Sequence, residues 1–136
     1  MEIDVITTIQ RNPKLESVRS VAVIVAHPDD ETLWAGGLIL SHPEWSLRIA
    51  SICRGDDADR APKFQKVLAR LNAEGGMANL DDGPEQTPLS DHMLRETVLS
   101  LLPERDYDLI ITHAPCGEYT RHRRHEEVSR DRKSVV

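Results

Sequence analysis

Val18-Arg19-Ser20-Val21-Ala22-Val23-Ile24-Val25-Ala26, followed at once by His27-Pro28-Asp29-Asp30-Glu31, decides the fold. The first nine residues form a nearly unbroken β-branched, apolar run, which predicts a strand buried on both faces. The run stops at His27-Pro28. Proline suits a first helical position, and three acids in a row suit the positive end of a helix dipole. Leu33 to Leu40 extends this into a buried helix. Gly36 and Gly37 are expected to let it lie close to the sheet, and His42-Pro43 ends it.

The same alternation continues outward. Leu47 to Cys53 reads as a second strand, and Arg54 to Arg60 as a charged loop. Phe64, Val67, Leu68 and Leu71 give Lys63 to Asn72 a helical period, which Gly75-Gly76 is expected to break. Met77 to Leu80 reads as a short third strand. Asp81 to Pro88 is rich in turn formers. Ser90 is placed to cap a helix through Leu102, which Pro103 stops. Asp108 to His113 reads as a fourth strand, Ala114 to Arg124 as a loop, and a last helix begins near His125. Met1 to Ser17 reads as a polar lead-in. Strands alternating with helices imply parallel crossovers and an open α/β sheet. No repeat and no second domain is evident.

Composition narrows the function classes. The 136 residues suit one domain, and 39% hydrophobic with 29% charged residues is an ordinary globular balance. A formal net charge of −6 argues against a nucleic-acid partner. Cys53 and Cys116 are too few for a disulfide scaffold and are expected to pack as small apolar residues. Nothing resembles a signal peptide or the ~20 apolar residues of a membrane span, so a cytoplasmic location is expected.

Two polar clusters carry the chemistry. In doubly wound sheets, ligands bind beyond the carboxyl ends of the strands where strand order reverses, usually between the first and fourth strands. His27, Asp29, Asp30 and Glu31 follow the first strand; His113, Glu118, His122 and His125 follow the fourth. The clusters should therefore converge. Two histidines and a carboxylate form a ligand set suited to catalytic zinc. His27 and Asp30, three apart at a strand-to-helix turn, can bend toward one point. Asp29 is placed to stay off the metal and accept a proton.

Ala26-His27-Pro28-Asp29-Asp30-Glu31 resembles the signature of the LmbE-like (PIG-L) deacetylase family. Thr112-His113-Ala114-Pro115, then Gly117-Glu118-Tyr119, resemble a second segment of that family, and His122 with His125 resemble its HxxH pair. The resemblance runs from about Val21 to Arg130. It implies a Rossmann-like three-layer α/β/α sandwich with a mostly parallel sheet over residues 18–130. It also implies that His27, Asp30 and His125 bind Zn2+, that Asp29 is the general base, and that a cationic His122 stabilises the oxyanion. The implied reaction removes an acetyl group from an N-acetylglucosamine-type sugar or its conjugate. The rivals are an amidase acting on another N-acyl substrate, a metal- or ligand-binding module without turnover, and a nonfunctional fragment.

One departure stands out. The family often has Pro-Asp between the two histidines, the Asp orienting the first; this chain has Arg123-Arg124. A nearby arginine would depress the pKa of His122. Glu118 and Glu126 are the candidates to replace the missing carboxylate. Arg121, Arg123 and Arg124 suit either a substrate anion or, more often, plain solvation.

At the rim, Arg54, Asp56, Asp57 and Arg60 suit either sugar hydroxyls or a solvated ion-paired loop, with Arg60 as the substrate-binding candidate. His113 suits either a satisfied buried histidine or a group that supports the ligands, the first slightly preferred; Trp34 suits the core or the pocket, the core preferred; His42 and His92 are expected to be surface residues. The resemblance also implies a longer protein. Asp131-Arg132-Lys133-Ser134-Val135-Val136 is what one frame of a common sequencing adapter encodes before a stop codon, so residues 131–136 are expected to be a non-native tail and the domain to be truncated at its C-terminus.

Overall fold

The computed structural model describes residues 6–10, 17–103, 106–116 and 121–131. The elements run β1 (Ile6–Gln10), β2 (Ser20–Val25), α1 (Asp30–Leu40), β3 (Ser46–Cys53), α2 (Arg60–Arg70), β4 (Ala73–Leu80), α3 (Asp91–Leu101), β5 (Leu109–His113) and α4 (Arg123–Asp131). The sheet order is β1-β5-β2-β3-β4. β2, β3, β4 and β5 are mutually parallel, and β1 pairs antiparallel with β5.

Alternating side chains of the strands build two cores. Val21, Val23 and Val25 of β2 face α1 and α2, joining Ala35, Ile39, Phe64 and Leu68. Ala22 and Ile24 face the other way, joining Leu94 and Val98 of α3 and Val128 of α4. The three-layer α/β/α sandwich expected from the sequence is thus present, with the apolar β2 run at its centre because both of its faces are covered.

The chain winds β2, β3, β4 to one side, then returns through α3 to place β5 on the other side of β2. The strand order therefore reverses between β2 and β5, and the residues after each lie at that crevice. Asp108 fixes the opposite end of the pair: its carboxylate accepts the backbone N–H groups of Arg19 and Ser20, both at 2.9 Å, which holds its pKa below the usual value.

Several local expectations change. Part of the segment read as a polar lead-in, Ile6–Gln10, is a strand on the edge of β5. Gly36 and Gly37 do not serve close packing: a Cβ at Gly36 would meet only Thr32 Cγ2 at 3.8 Å, and Gly37 faces open space. The break after α2 is Asn72, at φ 51, rather than Gly75-Gly76. Asparagine tolerates the left-handed conformation that ends helices. Both glycines instead lie inside β4, where a Cβ at Gly75 would run into the carbonyl of Ile49. Ser90 caps α3 as expected, accepting Met93 N–H at 3.1 Å. Cys53 is buried but Cys116 is exposed, which corrects the expectation that both pack inside.

Candidate metal centre

The end of β2 carries His27 into the crevice, and the first turn of α1 carries Asp30. His125 arrives from the first turn of α4, which follows β5. Nδ1 of His27 lies 3.4 Å from Oδ2 of Asp30 and 3.2 Å from Nε2 of His125, and that Nε2 lies 3.3 Å from the same Oδ2. Three donor atoms from two distant segments thus form a nearly equilateral triangle. Bonds of about 2.0–2.1 Å in a tetrahedral array set donor separations of about 3.3–3.4 Å. The triangle fits a small N/O-liganded divalent ion. Other combinations, His27-His122-His125, Asp30-His113-His125 and His27-Cys53-Asp82, also gather donors within 4.8 Å of one another.

The surroundings hold this triangle in place. The backbone N–H of His27 donates to Asp30 Oδ2 at 3.0 Å. His113, fully buried as expected, accepts the N–H of Ala26 at 3.0 Å through Nε2, the same atom that lies 3.4 Å from Asp30 Oδ2. Burial works to raise the pKa of Asp30, but the imidazoles of His113, His125 and His27 outweigh it and hold the carboxyl far below the ordinary range. For His27, burial works downward, but contacts with Asp30 and Asp82 outweigh it and raise the pKa.

Asp29 sits beside the triangle at the N-cap of α1, with its side chain 66% exposed. Its φ of 142 is rare for a residue with a side chain and marks local strain. Two groups hold it. Glu31, fully buried, accepts the Asp29 backbone N–H at 3.1 Å. Arg60 donates to Asp29 Oδ2 and to the carbonyl of Pro28, each at 3.1 Å. Glu31 is therefore a positioning residue as well as a favourable charge at the helix start. Burial raises its pKa.

His122 packs against the triangle, its ring 4.8 Å from that of His27 and 4.5 Å from that of His125. Burial, then the charges of His125 and His27, lower its pKa below 6.5. The charges that lower it are those of histidines, not of the arginine expected to depress it. Nδ1 of His122 is buried with no partner among the described residues. Glu126, one candidate to orient it, is instead engaged by Arg121 at 2.9 Å. The other, Glu118, lies outside the described residues, as do residues 132–136.

Arg124 corrects the reading of a solvated or anion-binding run. Its side chain is fully buried, pairs with Glu127, and donates to the carbonyls of Asp81 at 2.7 Å and Thr87 at 2.8 Å. Arg121 and Arg123 are exposed.

The cleft over the triangle, about 400 Å3, is lined by His27, Asp29, Asp30, His122 and His125 together with Leu33, Trp34, Arg54, Arg60 and Asp82. Trp34, expected in the core, is half-buried at this wall. Of the rim acids, Asp57 is used locally, accepting the N–H groups of Asp59 and Arg60. His92 is exposed as expected, whereas His42 is half-buried, stacked on Trp45 and paired with Glu44. Asp82 was missed. It sits in a turn-rich loop with no periodicity, and the available signal was its place just past the carboxyl end of β4, on the same rim as the two recognised clusters.

Comparison with known proteins follows the same lines. The family model described as PIG-L, GlcNAc-PI de-N-acetylase, matches residues 22–134. An uncharacterized protein, L374, of Acanthamoeba polyphaga mimivirus is 25% identical over 122 residues, covering 79% of this chain and 54% of the relative. Among solved structures, GalB, the 4-carboxy-2-hydroxymuconate hydratase from Pseudomonas putida KT2440, superposes with a TM-score of 0.61 at 17% identity. That match covers 86% of this chain and 55% of GalB, and it is a likeness of fold. The chain spans about half the length of the proteins it matches.

Proposed function

The chain belongs to the PIG-L, GlcNAc-PI de-N-acetylase, family, and from that premise we propose that it is a zinc-dependent hydrolase removing the acetyl group of an N-acetylated amino sugar or its conjugate. The observation that carries the proposal is the donor triangle of His27, Asp30 and His125, with sides of 3.2 to 3.4 Å. Two imidazoles and one carboxylate are the donor set of catalytic zinc, which leaves a position for water or substrate.

When bound there, zinc supplies Lewis acidity, making water more acidic and polarising the amide carbonyl. The chain's own residues do the rest. Asp29 takes the proton of the attacking water as the water oxygen bonds to the acyl carbon. It then delivers that proton to the amine nitrogen as the carbon–nitrogen bond breaks, giving acetate and a free amine. Arg60 and Glu31 hold Asp29 in the cleft through both its carboxylate and its backbone. His122 offers a ring N–H to the oxyanion. The cleft lining includes Leu33 and Trp34 as well as Arg54 and Arg60, which suits a substrate with both an apolar face and hydroxyl groups.

The test is acetate release by the zinc-loaded chain from a panel of N-acetylated amino sugars, other N-acyl sugars and non-sugar amides. Release confined to the N-acetyl sugars supports the reading. Turnover of another amide replaces the substrate, and zinc bound with no hydrolysis of any amide marks a binding module instead.

A further inference from the structure

On the reading that His27, Asp30 and His125 hold a metal ion, we infer that Asp82 is a positioning residue for that ion, accepting the Nε2–H of His27 so that Nδ1 is left as the lone-pair donor. His27 presents its two ring nitrogens to different partners. Nδ1 faces Asp30 and His125, while Nε2 lies 3.1 Å from Oδ1 of Asp82. A neutral imidazole has one proton, so a carboxylate that captures Nε2–H selects the tautomer with a free Nδ1. Such a partner also fixes ring orientation and raises the basicity of the coordinating nitrogen.

Asp82 is itself fixed. Its side chain is 9% exposed. Oδ2 accepts Nε and Nη2 of Arg54 at 3.0 and 2.9 Å, and Oδ1 accepts Gln86 Nε2 at 3.0 Å. Its loop is tied to α4: Arg124 holds the carbonyls of Asp81 and Thr87, and Glu127 accepts Leu89 N–H at 2.9 Å. The helix that carries His125 therefore also anchors the loop that orients His27. The arginine that departs from the family pattern is part of this device.

The experiment is a zinc titration of the full chain against a chromophoric chelator, with Asp82→Ala, Asp82→Asn and His125→Ala alongside. Ring 15N shifts of His27 are recorded in the zinc-loaded chains. The wild type is expected to bind one equivalent, both Asp82 variants to bind it about 10–100-fold more weakly, and His125→Ala to lose it. The Nε2–H signature of His27 should be present in the wild type and altered in Asp82→Ala, while metal-free melting stays close to wild type. Unchanged affinity and unchanged His27 shifts in Asp82→Ala, with binding still lost in His125→Ala, would overturn the inference and leave the metal site standing. A second equivalent in the wild type that Asp82→Ala loses would make Asp82 a ligand, which also overturns it. No zinc bound by the wild type would overturn the metal site and this inference together.

Discussion

At the scale of single residues, Asp29 and Asp30 are neighbours with opposite environments. Asp30 is buried under three imidazoles, while Asp29 is largely exposed in the cleft and held at a strained φ of 142. The strain is maintained because buried Glu31 fixes the backbone and Arg60 fixes the carboxylate. On the proposed reading, one acid holds the cation and the other exchanges a proton. Asp29→Asn is expected to keep one equivalent of zinc and lose about 10²–10⁴-fold in acetate release; wild-type turnover in that variant would remove Asp29 from the role of base. This pair was legible in the sequence because adjacent acids at a strand-to-helix turn define their own geometry. Asp82 was not, since its partners Arg54 and His27 lie 28 and 55 residues away in the chain.

At the scale of elements, α4 shows what a run of like residues conceals. Arg123 and Arg124 are chemically alike in sequence, but a helix turns each residue by about 100° relative to the last. Arg123 therefore reaches solvent, while Arg124 points into the protein against Glu127 and the β4–α3 loop. Removing one partner of such a pair leaves a buried charge uncompensated. Arg124→Met is expected to cost about 3–5 kcal/mol in urea unfolding, and a loss within about 0.5 kcal/mol of zero would show the pair to be dispensable. The boundaries of β4 were obscured for a related reason. Gly75-Gly76 reads as punctuation, yet Gly75 is needed within the strand because the carbonyl of Ile49 approaches too closely for a side chain. The stop signal was Asn72, an ordinary residue until its φ is known.

For the whole molecule, topology does what no local stretch can. The jump from β4 back across the sheet to β5 sets the residues after β2 beside those after β5, bringing His27 within 3.2 Å of His125 across 98 positions of chain. The alternation of strands and helices made that arrangement readable, because right-handed crossovers leave few other ways to wind the sheet. The antiparallel β1 was not readable, since its five residues, Ile6-Thr7-Thr8-Ile9-Gln10, lack the long apolar run that marks a central strand. The convergence of two distant segments on one cation is the central claim. Its most direct test is a zinc titration of the metal-free chain beside Asp30→Ala, monitored by the heat of binding. One equivalent bound by the wild type and lost in Asp30→Ala is expected. Equal binding by both chains, or none by a wild type that still unfolds cooperatively, would contradict the account.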